Sequence, residues 1–332
     1  MSIFSTGNPI DKYTKVVPVF LTINNAYAPY AAVAIRSITK HADPKRYYRI
    51  VVLHDGISLP NLIRLRNLVT RNCAIQFKRI THSLYLKAIV KYCSKEKGAG
   101  DFFSSAVYYY RFFIPRLFPM YEKAVYIDSD TVLLGDIGEL FDKEMNEEEV
   151  ILAMVDPKVS VMPEFRSYVD NAVGVPHEEY VNDGVMLMDL KKMRKIHYLT
   201  RLVSIIDKYD ADLVAPDQDY ANVILRGRIG HFGSEWNAEP REDLPKETKL
   251  VHFNLFNKPW HYKNVPAEKI FWNAARGTGF YGDLKRQQNS FDEKKRKAEE
   301  EKVQALLKKA KRLGREKEPI IRAEDDLALD DD

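Results

Sequence analysis

The hydrophobic pattern of the chain switches repeatedly between a strand period and a helix period. Val16-Val-Pro-Val-Phe-Leu-Thr-Ile23 is an almost unbroken apolar run, which predicts a strand buried on both faces. After the polar step Asn24-Asn25-Ala26-Tyr27, the small residues of Ala31-Ala-Val-Ala-Ile-Arg-Ser-Ile38 predict a helix. Tyr48-Arg-Ile-Val-Val-Leu53 predicts a second strand, Ser58 is placed to cap a helix beginning near Pro60, and Ala74 to Ile80 predicts a third strand. This alternation predicts an α/β, Rossmann-like fold with a largely parallel sheet and helices on both faces. Ligands of such sheets gather at the carboxyl ends of the strands.

Further along, Ser104 to Leu117 predicts an aromatic-rich helix that feeds the run Ala124-Val-Tyr-Ile-Asp-Ser-Asp-Thr-Val-Leu-Leu134. Asp136 to Phe141 predicts a short helix and Val150 to Val155 a strand. Tyr180 to Leu190 predicts a turn entering a strand, with Asn182-Asp183-Gly184 as the turn signal. Lys191 to Tyr209 reads as a helix. Pro216-Asp-Gln-Asp-Tyr-Ala-Asn-Val-Ile224 opens another with acidic residues in its first turn, and Lys249 to Phe253 is a late strand. From Phe291 the composition turns to Lys, Arg and Glu. Val303, Leu306, Leu307, Ala310 and Leu313 recur at helical spacing, with Gly314 placed to end the helix. The stripe is narrow and lacks aromatic residues, so a solvated helix or a weak contact with a partner or membrane surface is expected. The pattern divides the chain into a lead-in (1–15), one domain (16–283) and a charged tail (284–332), and the domain is expected to carry donor chemistry without the tail.

Composition changes this picture little. With 332 residues, 45% hydrophobic and 30% charged, the chain is long enough for a sizeable core. No apolar run approaches a membrane span, and Met1-Ser-Ile-Phe-Ser-Thr lacks the features of a signal peptide, so a cytoplasmic location is expected, peripheral at the inner membrane face if the tail binds there. Cys73 and Cys93 form no framework and are expected to be reduced. A net charge of +4, with the local excess of Lys and Arg near the C-terminus, does not imply nucleic acid.

The acidic triplet carries the first candidate chemistry. In extended chain Asp128 and Asp130 point to one side and Ser129 to the other, giving a pair of hard oxygen ligands at the exit of an apolar strand. Such a pair suits a divalent cation. It also suits an ordinary turn, since Asp and Ser favour turns. Arg111 lies among residues apolar enough to demand a buried ion pair or an anionic ligand.

In series, YYRFFIPRLFP, VYIDSDTVLLGDI, NDGVMLMDL, PDQDYANVI and HFNLFNKPWHY resemble glycosyltransferase family 8, over about residues 16 to 262. That resemblance implies a single GT-A domain and a retaining hexosyltransferase that uses UDP-glucose or UDP-galactose. It implies that Asp128, Asp130 and His252 hold manganese, or magnesium in its place, and that Lys258 meets the diphosphate. It implies that Tyr27 stacks on uracil, with Thr22, Ile23, Asn24 and Asn25 edging the base. Arg111 and the acidic turn with Ser129 would contact the donor. Asn182, Asp183 and Gly184 would line the sugar, and Asp217 and Gln218 would stand nearest its reacting carbon, so that Gln218, Asp217 and Asp183 are the catalytic candidates. The acceptor would be a glycan, a lipid-linked glycan or a glycoprotein. Two positions depart from the pattern: Ala26 replaces a base-reading asparagine, and Leu255 a glycine.

Two other readings compete. Asp128-Ser-Asp130-Thr131 also fits the opening motif of haloacid-dehalogenase-like phosphatases, with Asp128 as nucleophile, although there the motif opens the domain and the HFNLFNKPW segment goes unexplained. The other is a nucleotide-sugar-binding protein without turnover.

Overall fold

The computed structural model describes residues 15–81, 83–95, 105–209, 211–315 and 319–322. Its first half runs β1 (Lys15–Ile23), α1 (Ala28–His41), β2 (Arg46–His54), α2 (Leu59–Arg66), β3 (Cys73–Arg79) and α3 (Leu84–Lys95). A 3₁₀ stretch, Ala106–Phe113, and α4 (Ile114–Leu117) lead into β4 (Lys123–Ile127), β5 (Thr131–Leu133), α5 (Ile137–Phe141), β6 (Ile151–Val155), α6 (Pro157–Val161) and α7 (Pro163–Tyr168). Then come β7 (Val181–Asp189), α8 (Leu190–Lys195), α9 (Tyr198–Tyr209), α10 (Pro216–Ile224), β8 (Ile229–His231) and β9 (Leu250–His252). The chain closes with α11 (Glu268–Ala275), α12 (Tyr281–Asn289) and α13 (Glu293–Leu313).

The main sheet has seven strands in the order β3-β2-β1-β4-β7-β6-β8. The pairs β1·β2, β1·β4, β2·β3 and β6·β8 are parallel, while β7 runs antiparallel to both β4 and β6. A second small sheet pairs β5 with β9, antiparallel, with Thr131 opposite His252. Alternating residues of the central strands feed two cores. Phe20, Val51 and Tyr126 join one with the 3₁₀ stretch and α9, whereas Leu21, Val52 and Val125 join the other with α1 and α11. Helices therefore cover both faces of a mostly parallel sheet, as the pattern predicts.

Several local expectations are corrected. The aromatic segment is a 3₁₀ helix followed by one α-turn rather than a single helix; Pro115 has no N–H to continue a helical ladder and opens the α-turn instead. Asn182-Asp183-Gly184 lies inside β7, because pairing on both sides holds it extended: Asp128 N–H donates to Gly184 O (2.7 Å) and Asn182 pairs with Met154 of β6. The acidic triplet leaves the strand at Ile127 and turns before Thr131. The predicted helix over Lys191 to Tyr209 breaks at His197, whose φ is 53°. Ser58 makes no side-chain cap; its N–H donates to Asn25 Oδ1 (2.8 Å). Cys73 and Cys93 are buried and not joined in a disulfide, as expected.

The tail helix is not simply solvated. Leu306, Ala310 and Leu313 of α13 are buried in the same core as Phe165 and Tyr168 of α7, and Ile320 and Ile321 join them. The narrow stripe thus meets an apolar surface of its own chain. The acidic end, 323–332, lies outside the described residues. Among those residues no helix is long and apolar enough to cross a membrane.

Candidate active site

A cavity of about 250 Å³ opens at the carboxyl ends of β1 and β4. Thr22, Ile23, Asn24 and Tyr27 line it from the end of β1, and Asp128, Ser129 and Asp130 from the turn after β4. Arg111 enters from the 3₁₀ stretch, Asn182 and Asp183 from β7, Asp217 and Gln218 from the start of α10, and Lys258 from the segment after β9. His252 and Gly184 adjoin this wall. Asn25 does not line the cavity: its Oδ1 is turned to Ser58 N–H and Asn61 Nδ2.

Electrostatics organise the centre. Arg111 is 2% exposed, and its guanidinium reaches Asp183 Oδ1 (2.5 Å), Asp128 Oδ1 (3.1 Å) and Asp217 Oδ2 (3.2 Å) while lying over the Tyr126 ring. Asp128 Oδ1 also accepts from Tyr126 O–H (2.8 Å). One buried cation facing three carboxylates leaves excess negative charge in a dry place. Burial, with Asp217 and Asp128 adding to it against Arg111, accordingly holds Asp183 well above the usual carboxylate range. Burial also raises Asp128. Asp130 goes the other way: burial opposes its charge, but Lys258 Nζ at 2.6 Å from Oδ2 and His252 Nε2 at 3.1 Å from Oδ1 outweigh it and hold the carboxyl below the usual range.

A chain of amides fixes the His252 tautomer. Gly184 N–H must donate, so the Asn182 atom it meets at 3.1 Å is Oδ1. Asn237 Nδ2 donates to that same oxygen (2.9 Å), which turns Asn237 Oδ1 toward His252 Nδ1 (2.9 Å). Nδ1 therefore carries a proton, which leaves Nε2, facing Asp130 and Asp128, as the ring nitrogen available to a cation. Ligand atoms of Asp128, Asp130 and His252 lie within 4.8 Å of one another. Two carboxylates and one imidazole nitrogen converging, with an amide behind the imidazole, fit a divalent cation. Gly184 leaves the space for this approach, since a Cβ there would stand 2.4 Å from His252 Cε1 and 2.7 Å from Asp128 Oδ2. Gly184→Ala is expected to weaken manganese binding by about 10- to 100-fold, read by titration calorimetry, with the fold retained.

The side of the cavity lined by Gln218 and Asp183 is held as firmly. Gln218 Nε2 donates to Asp156 Oδ2 (3.0 Å), and its Oε1 accepts from Asn182 Nδ2 (3.1 Å). Asp183 Oδ2 is buried without a hydrogen-bond partner, an acceptor suited to a ligand hydroxyl. In the first turn of α10, Asp219 accepts from Tyr168 and Tyr180 hydroxyls (2.6 Å each); burial pushes its carboxyl up to about 7 against those bonds. Leu255 adopts φ 63°, the left-handed backbone that the expected glycine would take without strain.

Sequence reasoning missed Asp156, Asn237, Lys158, His261 and Glu299. All but Asn237 line the cavity directly. Asp156, Lys158 and Asn237 lie outside any motif, His261 stands in the HFNLFNKPWHY run beside Lys258, and Glu299 is one of many acidic residues in the charged tail, with nothing local to single it out.

Comparison with known proteins agrees with this geometry. The glycosyl transferase family 8 model matches residues 18–264. The chain is 23% identical over 269 residues to general stress protein A of Bacillus subtilis, covering 74% of this chain and 88% of that protein. It is 25% identical over 222 residues to lipopolysaccharide 1,2-glucosyltransferase of Escherichia coli, covering 58% and 61%. The crystal structure of galactosyltransferase LgtC with donor and acceptor sugar analogs superposes with a TM-score of 0.66 at 21% identity, over 85% of this chain and 100% of that one, which establishes likeness of fold.

Proposed function

The chain belongs to glycosyltransferase family 8, and from that premise we propose that it transfers a hexose, glucose or galactose, from the UDP-sugar to a hydroxyl of a glycan acceptor, metal-dependently and with retention. The carrying observation is that Asp128, Asp130 and His252 converge beside Lys258 on one cavity whose other wall is the Arg111 carboxylate cluster. The named relatives, a lipopolysaccharide glucosyltransferase and a galactosyltransferase, support these donor classes.

In this reading Tyr27 stacks on uracil, while Asp128, Asp130 and His252 would hold manganese or magnesium. When bound, such an ion neutralises charge on the donor's diphosphate. Lys258 supplies a fixed positive charge where negative charge grows on departing UDP. Asp183 Oδ2 accepts a sugar hydroxyl, and Gln218, its amide locked by Asp156 and Asn182, bounds the reacting carbon.

Retention needs either a covalent sugar-enzyme intermediate or attack on the face that UDP leaves. Asp183 and Asp217 are both engaged by Arg111, and an amide is a poor nucleophile, which favours same-face attack. The acceptor oxygen bonds to the anomeric carbon as the carbon–oxygen bond to phosphate breaks, and the acceptor's proton passes to the departing phosphate. One observation favours the other course: Asp183 Oδ2 has no hydrogen-bond partner.

The test is the product of an α-linked UDP-hexose, read from its anomeric proton coupling by NMR. An α-glycoside is expected. A β-glycoside contradicts retention, and a trapped sugar ester on Asp183 or Asp217 contradicts same-face attack. The family match to glycosyl transferases over residues 18–264 counts against the phosphatase reading, and Asp128 Oδ1 is already held by Arg111 and Tyr126.

A further inference from the structure

The family match ends at residue 264, yet a residue thirty-five positions later stands in the wall of the cavity. Glu299, on α13, places Oε2 2.8 Å from His261 Nδ1 and accepts from Tyr262 O–H at Oε1 (3.1 Å). Both side chains are mostly buried, at 23% and 17% exposure. Phe291 stacks on the His261 ring with centroids 4.3 Å apart and planes within 4°, and meets Tyr262 edge-on. One turn of α12 earlier, buried Gln288 donates through Nε2 to Pro259 O and Tyr262 O, both at 2.8 Å.

These contacts all grip one stretch, the segment that carries Lys258. His261 and Tyr262 N–H groups both donate to Lys258 O (2.9 Å each). Trp260 is pinned on its other side by stacking on Tyr30 (4.3 Å). Within the stretch itself, Leu255 and Asn257 are left-handed at φ 63° and 52°, conformations that local sterics disfavour and that neighbouring contacts must hold.

We propose that α12, Phe291 and α13 form a strap that fixes the 254–262 segment over the site, with Glu299 as the positioning residue that sets Lys258 beside Asp130. The strap acts through His261 and Tyr262, so Glu299 touches neither the metal ligands nor Lys258 itself. Removing it frees the ring pair and lets the strained backbone relax, which moves the lysine ammonium without touching the base-binding end of the cavity. The claim about Lys258 rests on the UDP-sugar reading; the claim that the strap orders the segment does not.

Two readouts separate them. In Glu299→Ala, amide hydrogen exchange over 254–262 is expected to rise by about tenfold while the central strands keep wild-type protection. Manganese-dependent UDP affinity is expected to fall by about tenfold, with uridine affinity unchanged, and Glu299→Gln, which keeps the acceptor for Tyr262, is expected to recover most of both. Unchanged exchange over 254–262, or acceleration spread equally over the whole sheet, overturns the strap. Local acceleration with unchanged UDP affinity overturns the positioning of Lys258. Failure of the wild-type protein to bind UDP at all counts against the donor assignment, and exchange then decides the strap alone.

Discussion

Asp130→Asn is expected to abolish donor turnover, by ~100-fold or more, in a protein that still folds. Asp130 serves two partners at once, His252 Nε2 through Oδ1 and Lys258 through Oδ2. An amide keeps one oxygen and must present its NH₂ group to the other partner. Turned toward Lys258 it sets two donors against each other; turned toward His252 it places its NH₂ against the ring nitrogen that the amide chain through Asn237 leaves for the cation. The charge that draws a divalent ion is lost in both orientations. Folding is spared, because the backbone bond from Phe253 N–H to Asp130 O (2.9 Å) does not involve the side chain and Lys258, 15% exposed, can turn toward water. Because Asp130 and Lys258 are both mostly buried, a loss of stability of about 1–3 kcal/mol is expected, short of unfolding the domain. UDP release and thermal unfolding measured on the same preparation check both halves of this expectation.

Arg111→Met has the opposite profile, with a large effect on the fold as well as on the chemistry. The guanidinium is the shared counter-charge of Asp128, Asp183 and Asp217, and removing it leaves buried carboxylates uncompensated, a loss of about 3–5 kcal/mol at neutral pH. The sign of the pH dependence follows from those carboxylates. Asp183 already stands above its unfolded value because of burial, and losing Arg111 raises it further. A folded-state pKa above the unfolded one gives stability that is present at low pH and lost as pH rises through the folded value. The stability gap between variant and wild type should therefore widen from pH 5 to pH 8, as read by urea unfolding at each pH. A gap that narrows over that range would mean that Arg111 does not carry the carboxylates.

Much of this site was legible before the fold was known, because its parts sit at the ends of strongly apolar strands. The run before Asp128 could hardly be anything but buried, and the polar residues at its exit had to be functional or a turn. They form a turn that lines the cavity, since β4 stops at Ile127 and β5 starts at Thr131. Asn182-Asp183-Gly184 misled for the converse reason. Local chemistry there favours a turn, but pairing with β4 and β6 on either side overrides it and holds the polar groups extended against the cavity. The antiparallel course of β7 was invisible for the same reason: a strand buried on both faces gives no sign of its direction.

Other parts were beyond periodicity. Asn237 decides the tautomer of His252 from a loop with no motif, and only the amide chain in three dimensions shows why it is there. The stripe of Leu306, Ala310 and Leu313 gave a correct helix but no partner, because α7 lies far away in sequence. Gly314, read as the stop signal, does end the helix, but with φ −61° rather than the left-handed backbone that glycine favours. Leu255 is the reverse case. The resemblance expects glycine, the chain has leucine, and the backbone adopts the glycine conformation regardless.

The central claim is that this cavity cleaves a UDP-sugar with the help of a cation held by Asp128, Asp130 and His252. Its most direct test is UDP release from UDP-glucose and UDP-galactose by the native protein, measured in manganese and in saturating chelator. Release in manganese that disappears in chelator is the expected result. Full release in chelator, or hydrolysis of phosphomonoesters with no release from either UDP-hexose, would contradict it.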